Sequence, residues 1–292
     1  MIYWDPSPNF FVIPILNWPI LWYGLFFASG FLIGFPLFEG ILLRYFLQIN
    51  KKRKRKIRDL KRVALKVTDR ITIYAVFATA LGARLGHFLF YENPSEYLKN
   101  PFEILKIWEG GLASHGAAIA IIFTLYMLSR WTKKIDSGLS CIRLLDFICV
   151  PTALAGSFIR IGNLFNQEIL GTVTNLPWGF IFGHPRDGSL PVARHPVQIY
   201  ESLFYFAVFL ILWRLTYRRS FLLGQGKLIG LFLILVFGFR FLVEFLKLEQ
   251  SELLSLSSSL TMGQWLSIPL VILGVGLFFF SEKLSRLGGR GF

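Results

Sequence analysis

Three arginines stand inside long apolar runs of this chain: Arg84 in TALGARLGHFLF, Arg160 in LAGSFIRIGNLF and Arg240 in LVFGFRFLVEFL. A guanidinium inside a bilayer is costly, and it is kept where it pairs with another group or lines a functional pathway. Arginine is always charged and grips phosphate through two parallel donors. Three such residues point to one buried anionic ligand, and the abundant anion of a membrane is a phospholipid phosphate. Further polar residues surround them. His87 and Tyr91 follow Arg84 at spacings that share one helical face. Asn163, Asn166 and Glu168 follow Arg160, and Glu244 lies one turn beyond Arg240. Tyr23, Ser114, His115, Arg194 and His195 stand at the ends of other apolar runs.

The elements that must position these residues are membrane helices. Hydrophobic residues make up 54% of the chain, above the ~45–50% of a soluble domain. A helix needs about 20 apolar residues to cross a bilayer. Seven stretches qualify, at 20–43, 70–91, 111–131, 144–165, 197–217, 227–247 and 264–281. Strand-length alternation is absent, which argues against a β-barrel. The expected fold is an all-α polytopic membrane protein, a single integral domain over 1–292. It has seven transmembrane helices, a small irregular periplasmic cap and an interfacial helix. The net charge of +14 is concentrated: 23 of the 31 Lys and Arg fall at 44–70, 130–143, 214–227 and from Lys283 onward. These segments alternate with the apolar runs as required if all four face the cytoplasm. That places the N-terminus outside and the C-terminus inside. The absence of Lys or Arg before Arg44 agrees and argues against a signal peptide.

With this topology every polar residue named above lies in the outer half of its span or just beyond it. The inner halves carry few ionisable groups, Glu39 and Asp146 being the main exceptions. A headgroup transporter or scramblase would need polar groups at all depths. The pattern instead resembles a site acting on lipid from the periplasmic side. Segment 92–110, with Pro94, Pro101 and an apolar stripe of Phe102, Leu105 and Trp108, reads as a short outer helix at the interface. Segment 166–196, rich in Gly and Pro, reads as the outer cap loop, and 248–263 as a Ser-rich outer loop.

Several of these residues also have purely structural readings. Arg240 and Glu244 at i, i+4 can neutralise one another. Arg84, between Gly82 and Gly86, can snorkel from a closely packed seam. Asn163 and Asn166 can bridge helices, His115 can donate to a loop carbonyl, and His184 in GHPRDG reads as surface. Cys141 and Cys149, eight residues apart on one helix, are too far apart for a disulfide and read as small apolar residues. The basic run KKRKRKIRDLKR at 51–62 reads as an orientation signal touching anionic lipid rather than a nucleic-acid site. No cluster has metal-ligand spacing, so neither metal nor cofactor is expected.

At these residues the sequence resembles the prolipoprotein diacylglyceryl transferase family over nearly its whole length. The resemblance rests on WYG at 22–24, LGARLGHFLFY at 81–91, WEGGLASHG at 108–116 and RIGNLFNQEILG at 160–171. RHPVQIYE at 194–201, GLFLILVFGFRFLVEF at 230–245 and TMGQWLSIP at 261–269 continue it. The fourth motif resembles the family signature, with Arg160, Gly162, Asn163, Asn166, Glu168 and Gly171 at matching positions. Ile159 and Leu164 depart from it. Ala117, Val197 and Lys247 depart elsewhere, Lys247 standing where an arginine is common.

The resemblance implies transfer of the diacylglyceryl group of phosphatidylglycerol to the thiol of a lipobox cysteine in a prolipoprotein. That precursor is still held by its signal peptide in the bacterial cytoplasmic (inner) membrane. A thioether forms and glycerol phosphate leaves. The partners are then phosphatidylglycerol, the precursor and membrane lipids, with no nucleic acid. The nucleophile belongs to the substrate, and a thiol with a pKa of about 8.5 is mostly protonated at neutral pH. Histidine is the side chain suited to take its proton, which makes His115 the candidate base. Arg160 and Arg240 are assigned to the phosphate. Asn163, with Asn166 and Glu168 in support, would orient the headgroup, and Tyr23 would contact the glycerol or ester region. Arg84, His87, His195 and Glu244 complete the candidate substrate-binding set.

Overall fold

The computed structural model describes residues 1–15, 17–50, 56–91, 113–218, 226–248 and 260–288. It is mostly helical. The helices are α1 (Trp22–Asn50), α2 (Ile57–Tyr91), α3 (Ser114–Ile135), α4 (Cys141–Phe165), α5 (Val197–Arg218), α6 (Lys227–Val243) and α7 (Met262–Gly288). A 3-10 turn, Glu244–Leu246, follows α6. Among the described residues, six segments are long and apolar enough to cross a membrane: Trp22–Asn50, Ile57–Leu89, Cys141–Phe165, Val197–Tyr217, Lys227–Leu246 and Met262–Ser281. This is the architecture of an all-α polytopic membrane protein. Helix α3 falls outside that set for a local reason. Its apolar stretch is bounded by Ser114 and His115 at one end and by Ser129, Arg130, Lys133 and Lys134 at the other. The expected interfacial segment 92–110 lies outside the described residues.

The chain forms two compact units, Leu37–Phe147 and Met1–Pro36 with Ile148–Phe292. In the first, buried Phe38, Ile41, Leu42, Tyr45 and Phe46 form one stripe of α1, at the i, i+3, i+4, i+7 spacing of an amphipathic face. Leu60, Ala64, Val67 and Ile71 do the same on α2. Helices α2 and α3 then meet backbone to backbone. A Cβ on Gly86 would lie 2.7 Å from Gly116 Cα, and one on Gly82 would overlap Ala120. Only small residues allow this approach, as in membrane helix pairs generally. The α3–α4 turn is tied to α1 by Asp136, whose Oδ1 accepts from Tyr45 Oη and from Gly138 N–H, both at 2.9 Å.

In the second unit α6 packs along α7, and Phe204 of α5 stacks on Phe239 of α6 at 3.9 Å between ring centroids. Here the structure departs from the irregular cap expected of 166–196. Strand β1 (Ile2–Trp4) pairs in parallel with β4 (Phe180–Phe182), which pairs antiparallel with β5 (Ala193–Arg194). Strands β2 (Asn9–Ile13) and β3 (Trp18–Leu21) form a separate antiparallel hairpin just before α1. The cap therefore recruits its first strand from the N-terminus, a pairing across about 180 residues that no local pattern announces. Leu164, Leu170, Phe180 and Phe182 form its core, with Trp4, Ile199 and Leu248 packed against them. Trp4 Nε1 donates to Leu164 O at 3.1 Å, which seats this sheet on the end of α4.

Candidate active site

The site begins at the C-terminus of α4. Gln167 adopts a left-handed backbone, φ 49°. Its N–H donates to Leu164 O at 3.1 Å, and the next N–H, of Glu168, donates to Asn163 O at 3.1 Å. That pair of bonds is the Schellman ending of a helix. It is built on glutamine rather than glycine because the Gln167 side chain is in use: Nε2 donates to Asp5 Oδ1 at 3.0 Å and Oε1 accepts from His184 N–H at 2.8 Å. The reversal turns Glu168 back under the last helical turn. Asn163 Nδ2 then donates to Glu168 Oε1 at 2.7 Å, and Asn166 Nδ2 donates to the same oxygen at 3.2 Å. Arg186 NH1 holds the other oxygen at 2.9 Å. Gln198, in the first turn of α5, donates to Glu168 O at 2.7 Å. The signature residues thus form one chain of contacts, closed at its inner end by Arg160 NH1 donating to Asn163 Oδ1 at 3.0 Å.

From Arg160 the network passes to α5 and α6. Arg160 Nε lies 3.1 Å from Oε2 of Glu201, whose side chain is fully buried. This contact is ionic by distance only, since Oε2 makes no hydrogen bond. Glu201 Oε1 accepts from Tyr205 Oη and from Lys247 Nζ, both at 3.1 Å. Lys247 Nζ also lies 3.2 Å from Glu244 Oε2. The Arg240–Glu244 pair open in the sequence is therefore not made: Glu244 turns to Lys247. Arg240, half-buried on α6, exerts its charge on Glu201, Tyr205 and Lys247. Among the described residues it has no hydrogen-bond or ion-pair partner. Three cations, Arg160, Arg240 and Lys247, stand against two carboxylates, Glu201 and Glu244. Their balance is one positive charge, which suits a single phosphodiester.

Tyr23, at the start of α1, lies over this end of α4. A Cβ on Gly162 would meet Tyr23 Cδ2 at 2.8 Å, so the signature glycine makes room for the ring. Tyr23 feels the charges of Glu168, Arg160 and Arg186. His195 takes a different place: its Nδ1 is 3.4 Å from Tyr200 Oη, and Trp178 Nε1 donates to the same hydroxyl at 2.9 Å. Its carbonyl abuts Gly171 so closely that no side chain fits there. Arg194 is buried, reaching Gly171 O at 3.4 Å and Ser189 Oγ at 3.1 Å. His184 is exposed as expected and pairs with Asp5 Oδ1 at 2.7 Å. The His184 ring, then Gln167, hold the Asp5 carboxyl below the ordinary aspartate range.

Arg84, His87 and His115 belong to the other unit. Arg84 is buried in the glycine seam of α2, His87 is half-buried one turn later, and His115 is half-buried in the first turn of α3. Cys141 and Cys149 are both free thiols, Cys149 buried. Among the described residues no group of three His, Cys, Asp or Glu could hold a metal ion.

Sequence reasoning gave no role to Glu201, Tyr205, Lys247 or Arg186. Glu201 was visible within RHPVQIYE, and a balance of charges would have found it. Buried arginines require a buried acid, and Glu201 lies one turn inside an apolar helix.

The fold is that of a polytopic helical membrane protein, and a cationic cluster of this kind at the ends of its helices has the chemistry to hold an anionic group. The family model for prolipoprotein diacylglyceryl transferase matches residues 10–280. The phosphatidylglycerol–prolipoprotein diacylglyceryl transferase of Chloroherpeton thalassium is 41% identical over 286 residues, covering 98% of this chain and 96% of its own. The protein of that name from Chlamydia trachomatis serovar D is 40% identical over 283 residues, covering 97% and 99%. That from Tolumonas auensis is 38% identical, covering 97% and 98%. The chain belongs to the prolipoprotein diacylglyceryl transferase family.

Proposed function

We propose that this chain is a phosphatidylglycerol–prolipoprotein diacylglyceryl transferase of the bacterial cytoplasmic membrane. Its N-terminus and active site face outward, and α3 serves as a seventh crossing. The observation that carries the chemistry is Arg240, a half-buried guanidinium without a partner among the described residues, beside an Arg160 already oriented by Glu201 and Asn163. Family membership supplies the substrates.

The phosphate of phosphatidylglycerol docks on Arg240 and on the face of Arg160 turned away from Glu201. The substrate thiol gives its proton to His115. The resulting thiolate attacks the glyceryl carbon bonded to the phosphate oxygen. A carbon–sulfur bond forms, the carbon–oxygen bond breaks, and the electron pair leaves on glycerol phosphate. Charge grows on that leaving oxygen, which the arginines stabilise most at the transition state. Asn163, held by Glu168 and Asn166, and Tyr23 border the headgroup. Arg84, His87 and His195 are proposed as further substrate-binding residues, and Glu244 acts through Lys247. A headgroup transporter or scramblase is not favoured, since the family and its relatives are transferases.

The test combines purified protein, phosphatidylglycerol vesicles and a lipobox peptide with one cysteine, read as the mass gained by the peptide. Arg160→Ala and Arg240→Ala run in parallel. A diacylglyceryl gain lost in both variants supports the reading, and no gain with the wild-type chain refutes it.

A further inference from the structure

Arg240 and Glu244 are one turn apart, the spacing at which an arginine and a glutamate ordinarily pair on a helix. The turn between them is intact, because Glu244 N–H bonds to Arg240 O. Yet the Glu244 carboxylate is on Lys247, 3.2 Å away. Lys247 sits where it can compete because its backbone is fixed from outside α6. Residues 246–248 run against the cap, with Thr172 N–H donating to Leu246 O at 2.8 Å and Leu248 N–H donating to Leu170 O at 3.0 Å. Gly171 and Lys247 face each other in that pairing. The ammonium is buried and is held at 3.1 Å by Glu201 of α5. An ammonium has three donors, enough to take one carboxylate from each of two elements.

We propose that Lys247 is a positioning residue that keeps Arg240 open to the lipid phosphate by holding Glu244 away from it. Without Lys247, Glu244 falls back on its partner one turn earlier, and a phosphate must displace a carboxylate to bind Arg240. The charged groups around this exchange are Arg160 from α4, Glu201 from α5 and Arg240 from α6, with Tyr205 as the neutral donor. The inference rests on the transferase reading above, with Arg240 as a phosphate ligand.

The test is a double-mutant cycle on the full-length protein with phosphatidylglycerol as varied substrate. Lys247→Met raises the KM for phosphatidylglycerol about tenfold, the worth of one charge-assisted contact, and lowers kcat less. In a Glu244→Gln background the same Lys247→Met change moves KM by less than about twofold, because no carboxylate is left to capture Arg240. An unchanged KM in Lys247→Met overturns the proposal. So does an equal rise in both backgrounds, which would mark Lys247 as merely structural. Lys247→Gln, which still donates to Glu201, is a second variant held to the same two comparisons if the methionine variant does not fold. A wild-type chain that transfers nothing refutes the transferase reading itself, a result distinct from an active enzyme whose KM ignores Lys247.

Discussion

Replacing Glu201 by glutamine keeps the volume of the side chain and removes one charge from the centre of the network. The carboxylate is fully buried and within 3.1 Å of both Arg160 Nε and Lys247 Nζ. At an effective dielectric constant of ~20, a unit pair at that distance attracts by about 5 kcal/mol. Much of that offsets the cost of taking the ions out of water. The variant keeps that desolvation cost for the two cations and loses the attraction. Among the described residues Lys247 retains the carboxylate of Glu244, whereas Arg160 retains neutral partners, Asn163 Oδ1 and the Tyr205 hydroxyl. Breaking a buried pair in this way costs about 3–5 kcal/mol, against about 1 kcal/mol for Tyr205→Phe, which removes one hydrogen bond. Taking ~2 °C per kcal/mol for a chain of this size, Glu201→Gln lowers the thermal midpoint in detergent by about 6–10 °C, and Tyr205→Phe by about 2 °C. Transfer falls as well, because Arg160 is no longer aimed. A Glu201→Gln midpoint within about 1 °C of wild type would refute the view that this carboxylate compensates the cluster.

Three further outcomes are expected. Gly116→Val drives a branched side chain into Gly82 and Gly86, and by overpacking the α2–α3 seam it costs about 1–3 kcal/mol, read as a lower thermal midpoint; an unchanged midpoint would contradict the close approach. Asp5 has a depressed folded pKa, so its stabilisation of the N-terminal strand is complete above about pH 5, clear of the unfolded value, and is lost as the pH falls through the folded value. Amide exchange of residues 2–4 therefore accelerates, after correction for intrinsic rates, between about pH 5 and about pH 3, and Asp5→Asn abolishes that pH difference; a mutant that keeps it would exclude Asp5 as the titrating group. His115→Gln lowers kcat about 100-fold with little change in the KM for phosphatidylglycerol, and full turnover in that variant would remove His115 as the base.

Much of the fold was legible in the sequence because its causes are local. Apolar runs of bilayer length mark the helices at 141–165, 197–217, 227–246 and 262–281 within a few residues, and the start of the one at 22–50, which runs seven residues past the expected end. The Schellman turn that ends α4 was not legible, because it stands on Gln167 rather than glycine and the Gln167 side chain is held by the distant Asp5 and His184. Gly82 and Gly86 announced a close seam because only small residues permit one, and the structure supplied Gly116 as their partner. The arginines announced an anion because hydrocarbon does not tolerate them otherwise. The tertiary structure decided what depends on how distant elements are rotated and aligned. Hydrophobic period fixes which face of a helix is buried, but it does not fix which charged group on a neighbouring element arrives opposite. For that reason Glu201 and Lys247 went unassigned, Glu244 left its own helix neighbour for Lys247, and Ile2–Trp4 became a strand against Phe180–Phe182. Sequence determined which residues had to be polar at these helix ends, and packing determined which of them were neutralised; among the described residues Arg240 was not.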